Sequence, residues 1–269
     1  MENLQKAIEK ARTSRAQKSG STRMAVHTSV AGDSAWDTLI AANPDRAHLK
    51  SKRVATLDGN KAGSHYDMLR TRIRDMAQKD GLRRIAIVSA GPQVGKTTTL
   101  VNLAFSFGRL PYEKTMVFDF DLRRPSLQSI IGMTPAATMG DVLRGQVPFE
   151  EHARRVGNNL AFAVNSGPVE HPSELLQSGN MTDFLKDIEG RYQPDLMFFD
   201  TPPLLAADDT RGFLSNVDAA LLVVEAERTP ADQIDVVEQQ LSELTNVLGV
   251  VLNKCNYPDP ATTASYGYY

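Results

Sequence analysis

The chain has 269 residues, 41% of them hydrophobic, and a net charge of −2; this suffices for one large α/β domain with added segments, and no run approaches the ~18 apolar residues of a membrane-spanning helix. Its one cysteine, Cys255, excludes an internal disulfide or a thiolate metal cage and suits a reducing cytosol, and the opening MENLQKAIEKARTSRAQKSG lacks the apolar core of a secretory signal. The near-neutral total hides an asymmetry: residues 1–84 hold 17 Lys/Arg against 9 Asp/Glu and residues 85–269 hold 13 against 23, so the basic front segment suits an acidic surface, an anionic membrane face or nucleic acid, or is simply a solvated arm.

In chain order, Leu4, Ala7, Ile8 and Ala11 recur at helical spacing and predict a short amphipathic helix within residues 1–18. From Ser19 to about Gly63 the composition turns to Ser, Thr, Ala, Gly and charge without sustained periodicity, and reads as a largely flexible linker; Trp36 within it reads as a docking contact. The stripe Tyr66, Leu69, Ile73 and Met76 predicts a helix over SHYDMLRTRIRDMAQ. From Arg84 on, short apolar runs alternate with helical spacers. The runs are IAIVS, TMVFDF, LAFAV, DLMFFD, AALLVVE and VLGVVLN, each apolar throughout, as strands buried on both faces are. One spacer has clear punctuation, with Thr229 as N-cap, Pro230 as first helical residue, and Ile234, Val237, Leu241 and Leu244 on one face. The alternation predicts a doubly wound, mostly parallel sheet flanked by helices. The expected division is 1–63 as N-terminal helix and linker, 64–256 as the α/β domain, and 257–269 as a mobile, tyrosine-containing tail.

The first strand runs into SAGPQVGKTTT. Ala90–Thr97 fits the phosphate-loop pattern G-x-x-x-x-G-K-[ST], with alanine in the first glycine position. Backbone N–H groups and the start of the next helix converge on an anion in such a loop. Gly91 and Gly95 permit close approach, Lys96 reaches the β- and γ-phosphates, and the Thr97 hydroxyl suits Mg²⁺. The candidate nucleotide set is Ala90, Gly91, Pro92, Gln93, Val94, Gly95, Lys96, Thr97 and Thr98. A nucleotide-bound Mg²⁺ also takes carboxylate ligands. Asp119 and Asp121 stand where TMVFDFD should emerge from the sheet, and Asp200 ends DLMFFD. An acid following four apolar residues is poorly explained as core, although a turn cap is the alternative at either place. Thr201-Pro202-Pro203 then stiffens the following loop.

This order of motifs resembles the bacterial tyrosine kinases of capsule and exopolysaccharide assembly, relatives of the ParA/MinD ATPases. The similarity runs from about Tyr66 to the C-terminus and rests on Ala90–Thr97, FDFDLRRPSL around Asp119–Asp121, FFDTPP at Asp200, the segments MGDVLRGQVPFEE, SGPVEHPSELLQS and GVVLNKCNY, and Tyr266, Tyr268 and Tyr269. The resemblance implies a P-loop NTPase fold, ATP and Mg²⁺ as cofactors, Lys96, Thr97, Asp121 and Asp200 at the phosphates and metal, and Asp119 as acceptor of a proton from an attacking tyrosine. It places Asn253 near the base. It implies a cytoplasmic autokinase held at the inner membrane by a polysaccharide co-polymerase, without a nucleic-acid partner. Gly91 stands where MinD- and ParA-type loops carry an extra lysine, which separates the chain from partitioning and cell-division ATPases. The family's ring-forming helix pattern E-x-x-R-x-x-R aligns with Ser64, Asp67 and Arg70, of which only Arg70 keeps it.

Three of the seven tyrosines lie in the last four residues. The crowding suits an aromatic anchor for self-association, an end of no consequence, or, under the resemblance, the acceptors Tyr266, Tyr268 and Tyr269. Tyr257 in NYPDP reads as part of a turn. Arg123 and Arg124 suit contact with phosphate or a partner, and equally helix capping or pairing with acids. The five histidines show no metal-ligand spacing, and Cys255 is expected in packing. A MinD/ParA-like ATPase switch without kinase activity is the alternative function.

Overall fold

The computed structural model describes residues 35–59 and 61–256. The expected N-terminal helix over 1–18 and the tail with Tyr257, Tyr266, Tyr268 and Tyr269 lie outside them. An eight-stranded sheet runs through the described part in the order β1-β4-β5-β3-β6-β2-β7-β8. Its strands are β1 (Ile40–Ala42), β2 (Arg84–Ser89), β3 (Thr115–Asp119), β4 (Arg154–Val156), β5 (Leu160–Ala163), β6 (Leu196–Asp200), β7 (Ala219–Glu225) and β8 (Asn246–Asn253). All neighbours are parallel except β4 and β5. The six apolar runs are the six strands from β2 to β8 other than β4.

Alternation within each buried strand makes the winding double. In β2, Ala86 and Val88 enter one core, and Ile85 and Ile87 enter the other. β3 divides in the same way, with Met116 and Phe118 against Val117, and β6 with Met197 and Phe199 against Phe198. Successive side chains of a strand point to opposite faces, so each face needs its own cover of helix. Four longer helices dominate: α1 (Ser64–Asp80), α2 (Lys96–Gly108), α3 (Gly179–Tyr192) and α4 (Ala231–Leu244). Ile73 and Ala77 of α1 join Leu100, Leu103 and Phe107 of α2 in one core, and Leu185 and Ile188 of α3 join Val237 and Leu241 of α4 in the other. Met76, expected in the α1 stripe, is exposed, and Ala77 takes the inward position.

Two expectations change at the front of the chain. The segment read as linker is folded from Ala35 on, so the boundary at Ser64 falls inside the folded unit. Ala35–Thr38 is a helical turn, β1 pairs with β4, and Arg46–Ser51 is a helix capped by Asp45, whose carboxylate accepts from the amides of Ala47 and His48. Trp36 is 2% exposed and belongs to the core, with Lys114 Nζ 5.4 Å from the ring centre. It is therefore an anchor within the fold, not a free docking residue. Asn102 of α2 ties the adjoining stretch down. Its Oδ1 accepts from the Ala55 amide at 2.7 Å, its Nδ2 donates to the Arg53 carbonyl at 3.0 Å, and its carbonyl accepts from Thr56 Oγ1 at 2.8 Å. These partners lie far along the chain, so no local period announces them.

Two smaller corrections lie near the end. Thr229 does not cap α4, which begins after Pro230; its hydroxyl instead accepts from the Glu225 amide at 2.9 Å and closes the turn from β7. Cys255 is exposed rather than packed.

His152 is 2% exposed, and burial together with the nearby Arg154 charge lowers its pKa from 6.5 to about 4. The folded state therefore holds fewer protons than the unfolded state between these values, and stability falls as pH drops from about 6.5 towards 4. The full difference corresponds to about 3 kcal/mol. The variant His152→Leu should flatten this acid limb in urea melts at pH 7, 6 and 5. An unchanged slope would show that other groups carry it.

Candidate functional site

Because β2, β3 and β6 are parallel neighbours, their carboxyl ends open on one edge of the sheet, where ligands of such folds bind. Register sets Asp119 of β3 beside Asp200 of β6, and Ile87 of β2 on the other side of Asp200. The loop from Ala90 to Gly95 rises from β2 and feeds α2, whose N-cap is Gly95. Gly95 has φ +88°, a conformation that disfavours any side chain, and a Cβ there would also displace Asn253 Nδ2, 2.2 Å away, from its place on the loop.

Lys96 Nζ lies 2.5 Å from Asp200 Oδ1, and Thr97 Oγ1 donates to Asp200 Oδ2 at 2.7 Å. Ser126 Oγ donates to Thr97 Oγ1 at 3.1 Å. Lys96 and Asp200 are buried, at 7% and 0% exposed, so this is an ion pair in a water-poor place. Asp119 is also fully buried, and neither carboxylate oxygen has a hydrogen-bond partner. Burial first, then the Asp200 and Asp121 charges, holds its carboxyl well above the usual carboxylate range. Burial also raises Asp121, whose Oδ1 accepts from the Arg124 amide at 3.1 Å.

Above these groups is a cavity of about 700 Å³. Gly91 to Thr98, Asp121, Arg123, Arg124 and Ser126 line it, with Pro202, Pro203 and Lys254 on other sides. Ala90 is buried at the base of the loop. Asp119 and Asp200 lie among the fully buried groups and are not part of the lining. Asn253 also stays out of the lining; its Nδ2 donates to the Val94 carbonyl at 2.7 Å.

Two elements of the site escaped sequence reasoning. Lys254 reaches the loop from the end of β8, and only the sheet order brings it there. Asp209, fully buried, accepts from Arg123 Nε at 2.5 Å and Nη2 at 3.1 Å, and Ser173 bonds the same carboxylate. Arg123 thus pairs with an acid while also bordering the cavity. An acidic pair, Asp208-Asp209, after the proline-stiffened loop was the available signal.

Asp67 and Arg70, two of the ring-pattern positions of α1, are engaged inside the chain. Arg70 Nη1 donates to the Ser106 carbonyl at 2.9 Å, and Asp67 accepts from Ser106 Oγ and Arg109.

The parts present suit a Mg²⁺-nucleotide. Mg²⁺ takes one or two carboxylates together with substrate phosphates, and Thr97, Asp121 and Asp200 are hard oxygen donors on or just beneath the cavity. The unpartnered carboxylate of Asp119 is a further sign of a site built for more charge than the chain itself supplies. Sheet, loop and carboxylates together define a P-loop nucleoside triphosphatase fold. Solved structures agree: the kinase domain of Escherichia coli tyrosine kinase ETK has a TM-score of 0.68 and 24% identity over 76% of this chain and 81% of that one. The septum site-determining protein MinD complexed with Mg-ADP, from Pyrococcus horikoshii, has a TM-score of 0.55 and 22% identity over 68% and 76%.

No family model matches the chain. Among curated proteins it is 32% identical over 197 residues to tyrosine-protein kinase CpsD of Streptococcus pneumoniae, covering 72% of this chain and 85% of that protein. It is 29% identical over 207 residues to tyrosine-protein kinase YwqD of Bacillus subtilis, covering 76% and 84%. Tyrosine-protein kinase wzc of Salmonella typhimurium matches at 26% over 190 residues, 69% of this chain but 26% of that longer protein. The chain belongs to the bacterial tyrosine-protein kinase family.

Proposed function

We propose that this chain is an ATP-dependent protein-tyrosine autokinase of exopolysaccharide or capsule assembly, transferring the γ-phosphoryl group of ATP to Tyr266, Tyr268 and Tyr269. The observation that carries the reading is the convergence of Lys96 and Thr97 on Asp200, beside the unpartnered Asp119, at the ends of three adjacent strands. Loop amides and Lys96 hold the phosphates, and Thr97, Asp121 and Asp200 hold Mg²⁺. When bound, the metal supplies charge neutralisation at the phosphates. An incoming phosphate competes with Asp200 for the Lys96 ammonium and opens the pair that stands beside Asp119. In the transfer, the tyrosine oxygen bonds to phosphorus, the bond to the β-phosphate oxygen breaks, and Asp119 takes the phenolic proton. A carboxyl kept at high pKa is a better proton acceptor than an ordinary one once ionised. Positioning and charge stabilisation do most of the work in such transfers.

Among the described residues no helix is long and apolar enough to cross a membrane. In this reading an inner-membrane polysaccharide co-polymerase recruits the protein to the cytoplasmic face, and the tail of one copy enters the site of its neighbour. Each phosphate adds about −1.5 to −2 charges, which loosens an assembly held by the unmodified tail. A nucleotide-driven switch without tyrosine transfer is the second reading. The internal engagement of Asp67 and Arg70 favours it, because those positions are not free to join a ring.

Intact-mass analysis of the full chain after incubation with Mg-ATP, with a phosphatase control, separates the two. The kinase reading expects phosphatase-sensitive 80-Da additions confined to the C-terminal peptide, and none on a chain ending at Asn256. ATP hydrolysis without any addition would establish the switch instead.

A further inference from the structure

The end of β8 holds the apex of the phosphate loop through two consecutive side chains. Asn253 Nδ2 donates to the Val94 carbonyl at 2.7 Å, and Lys254 Nζ donates to the Gln93 carbonyl at 2.7 Å. Lys254 is itself set by Glu225, whose Oε2 lies 3.0 Å from Nζ at the end of β7. Glu225 is held in turn, since its amide donates to Thr229 Oγ1 and the Ala226 amide donates to the Asn253 carbonyl at 2.9 Å. Backbone at both ends of the lysine contact is left-handed, with φ +62° at Gln93 and +57° at Lys254. Side-chain-bearing residues adopt that region only where surrounding contacts compel it, and such places gather at ligand sites.

A phosphate loop works by presenting amides to an anion, and a carbonyl that swings inward repels it. Gln93 and Val94 are non-glycine residues at the turn of the loop, and each carbonyl is occupied by a donor from β8. The lysine also borders the cavity, which places a second ammonium there besides Lys96. We infer that Lys254, seated by Glu225, is a positioning residue for nucleotide: it latches the Gln93 carbonyl and so keeps the loop in its anion-binding form. This rests on the nucleotide site proposed above and adds a residue to it. The latch acts equally on bound substrate and transition state, because it touches neither the transferred phosphorus nor the acceptor. It therefore belongs to affinity, not to the chemical step.

Calorimetry with Mg-ADP, and steady-state autokinase or ATPase rates on the full chain, provide the test. Lys254→Met should weaken Mg-ADP about tenfold, the scale of one lost charge-assisted hydrogen bond at a partly exposed place, and raise KM for ATP similarly with kcat within about twofold. Lys254→Arg, which keeps donor and charge, should recover affinity to within about threefold. Thermal melting without nucleotide should be alike for all three proteins, because the latch secures an edge loop and not the core. Wild-type affinity in Lys254→Met, or a fall in kcat at unchanged KM, overturns the inference while leaving the nucleotide site standing. An arginine variant as weak as the methionine one also overturns it. Failure of the wild-type chain to bind Mg-ADP removes both.

Discussion

Replacing Lys96 by methionine is expected to lower phosphotyrosine formation by at least about 10³-fold. Methionine keeps the apolar stem of the side chain and removes its charge and its N–H donors. In a buried, preorganised site, deleting one donor aimed at developing charge costs about 10²–10³ in rate, and Lys96 also neutralises phosphate in the ground state. The change has a structural price as well. Asp200 is fully buried and Lys96 Nζ is its cation at 2.5 Å; stripping one partner from a buried pair costs about 3–5 kcal/mol, or about 10 °C in Tm for a domain of this size. The double variant Lys96→Met/Asp200→Asn removes the stranded charge and should recover most of that stability without recovering activity. Phosphotyrosine blots and melting curves on both proteins check this. Persistent labelling of the single variant with ATP would contradict the proposed role of the loop.

Asp119→Asn should move activity and stability in opposite directions. A general base contributes about 10²–10⁴-fold, and transfer should fall by that much. The metal-free protein should instead become more stable at neutral pH. Asp119 has a folded pKa well above its unfolded one because it is fully buried and faces two other carboxylates, Asp200 and Asp121. Through the interval between those two values the folded state binds more protons than the unfolded state. Stability therefore falls as pH rises across it, and the loss is complete above the folded pKa. Asparagine cannot ionise and escapes this loss. A higher melting temperature is expected at pH 7 in the presence of EDTA, the gain vanishing in acid below the ordinary carboxylate range, where both side chains are neutral. Equal melting temperatures at pH 7 would mean that the carboxyl finds a partner in solution. A functional residue that strains the resting fold is the familiar trade between activity and stability.

The two core faces follow the same physical logic. β2, β3 and β6 are each covered on both sides, so charged groups emerge only at their ends, and Asp119 and Asp200 stand together at the carboxyl ends because β3 and β6 are register neighbours. Aromatic packing beneath them is dense: Phe118 and Phe199 stack with ring centres 5.1 Å apart, and Phe213 meets Phe120 at 4.9 Å and Phe199 at 5.0 Å. A dry floor of this kind strengthens every charge interaction above it.

Local information was sufficient wherever a feature depends on near neighbours along the chain. Six strands could be read from unbroken apolar runs, α2 from the glycine-rich loop ahead of it, and the phosphate loop from the spacing of Ala90, Gly95, Lys96 and Thr97. Even the candidate carboxylates could be named, because an acid closing an apolar run has few structural uses. What depends on distant partners could not be read. β1 and β4 are three residues each, too short for a period, and exist because they pair with each other at the edge of a sheet already formed. Trp36 and the stretch around Ala55 are ordered by α2 and α3, far along the chain, so their composition resembles a linker. Nor could the sequence reveal that Lys96 faces Asp200, that Asp119 lies below the cavity without a partner, or that Lys254 grips Gln93 across 161 positions. Periodicity reports which face of an element is apolar; strand order alone decides which charged ends meet, because that order is set by packing between elements and not within them.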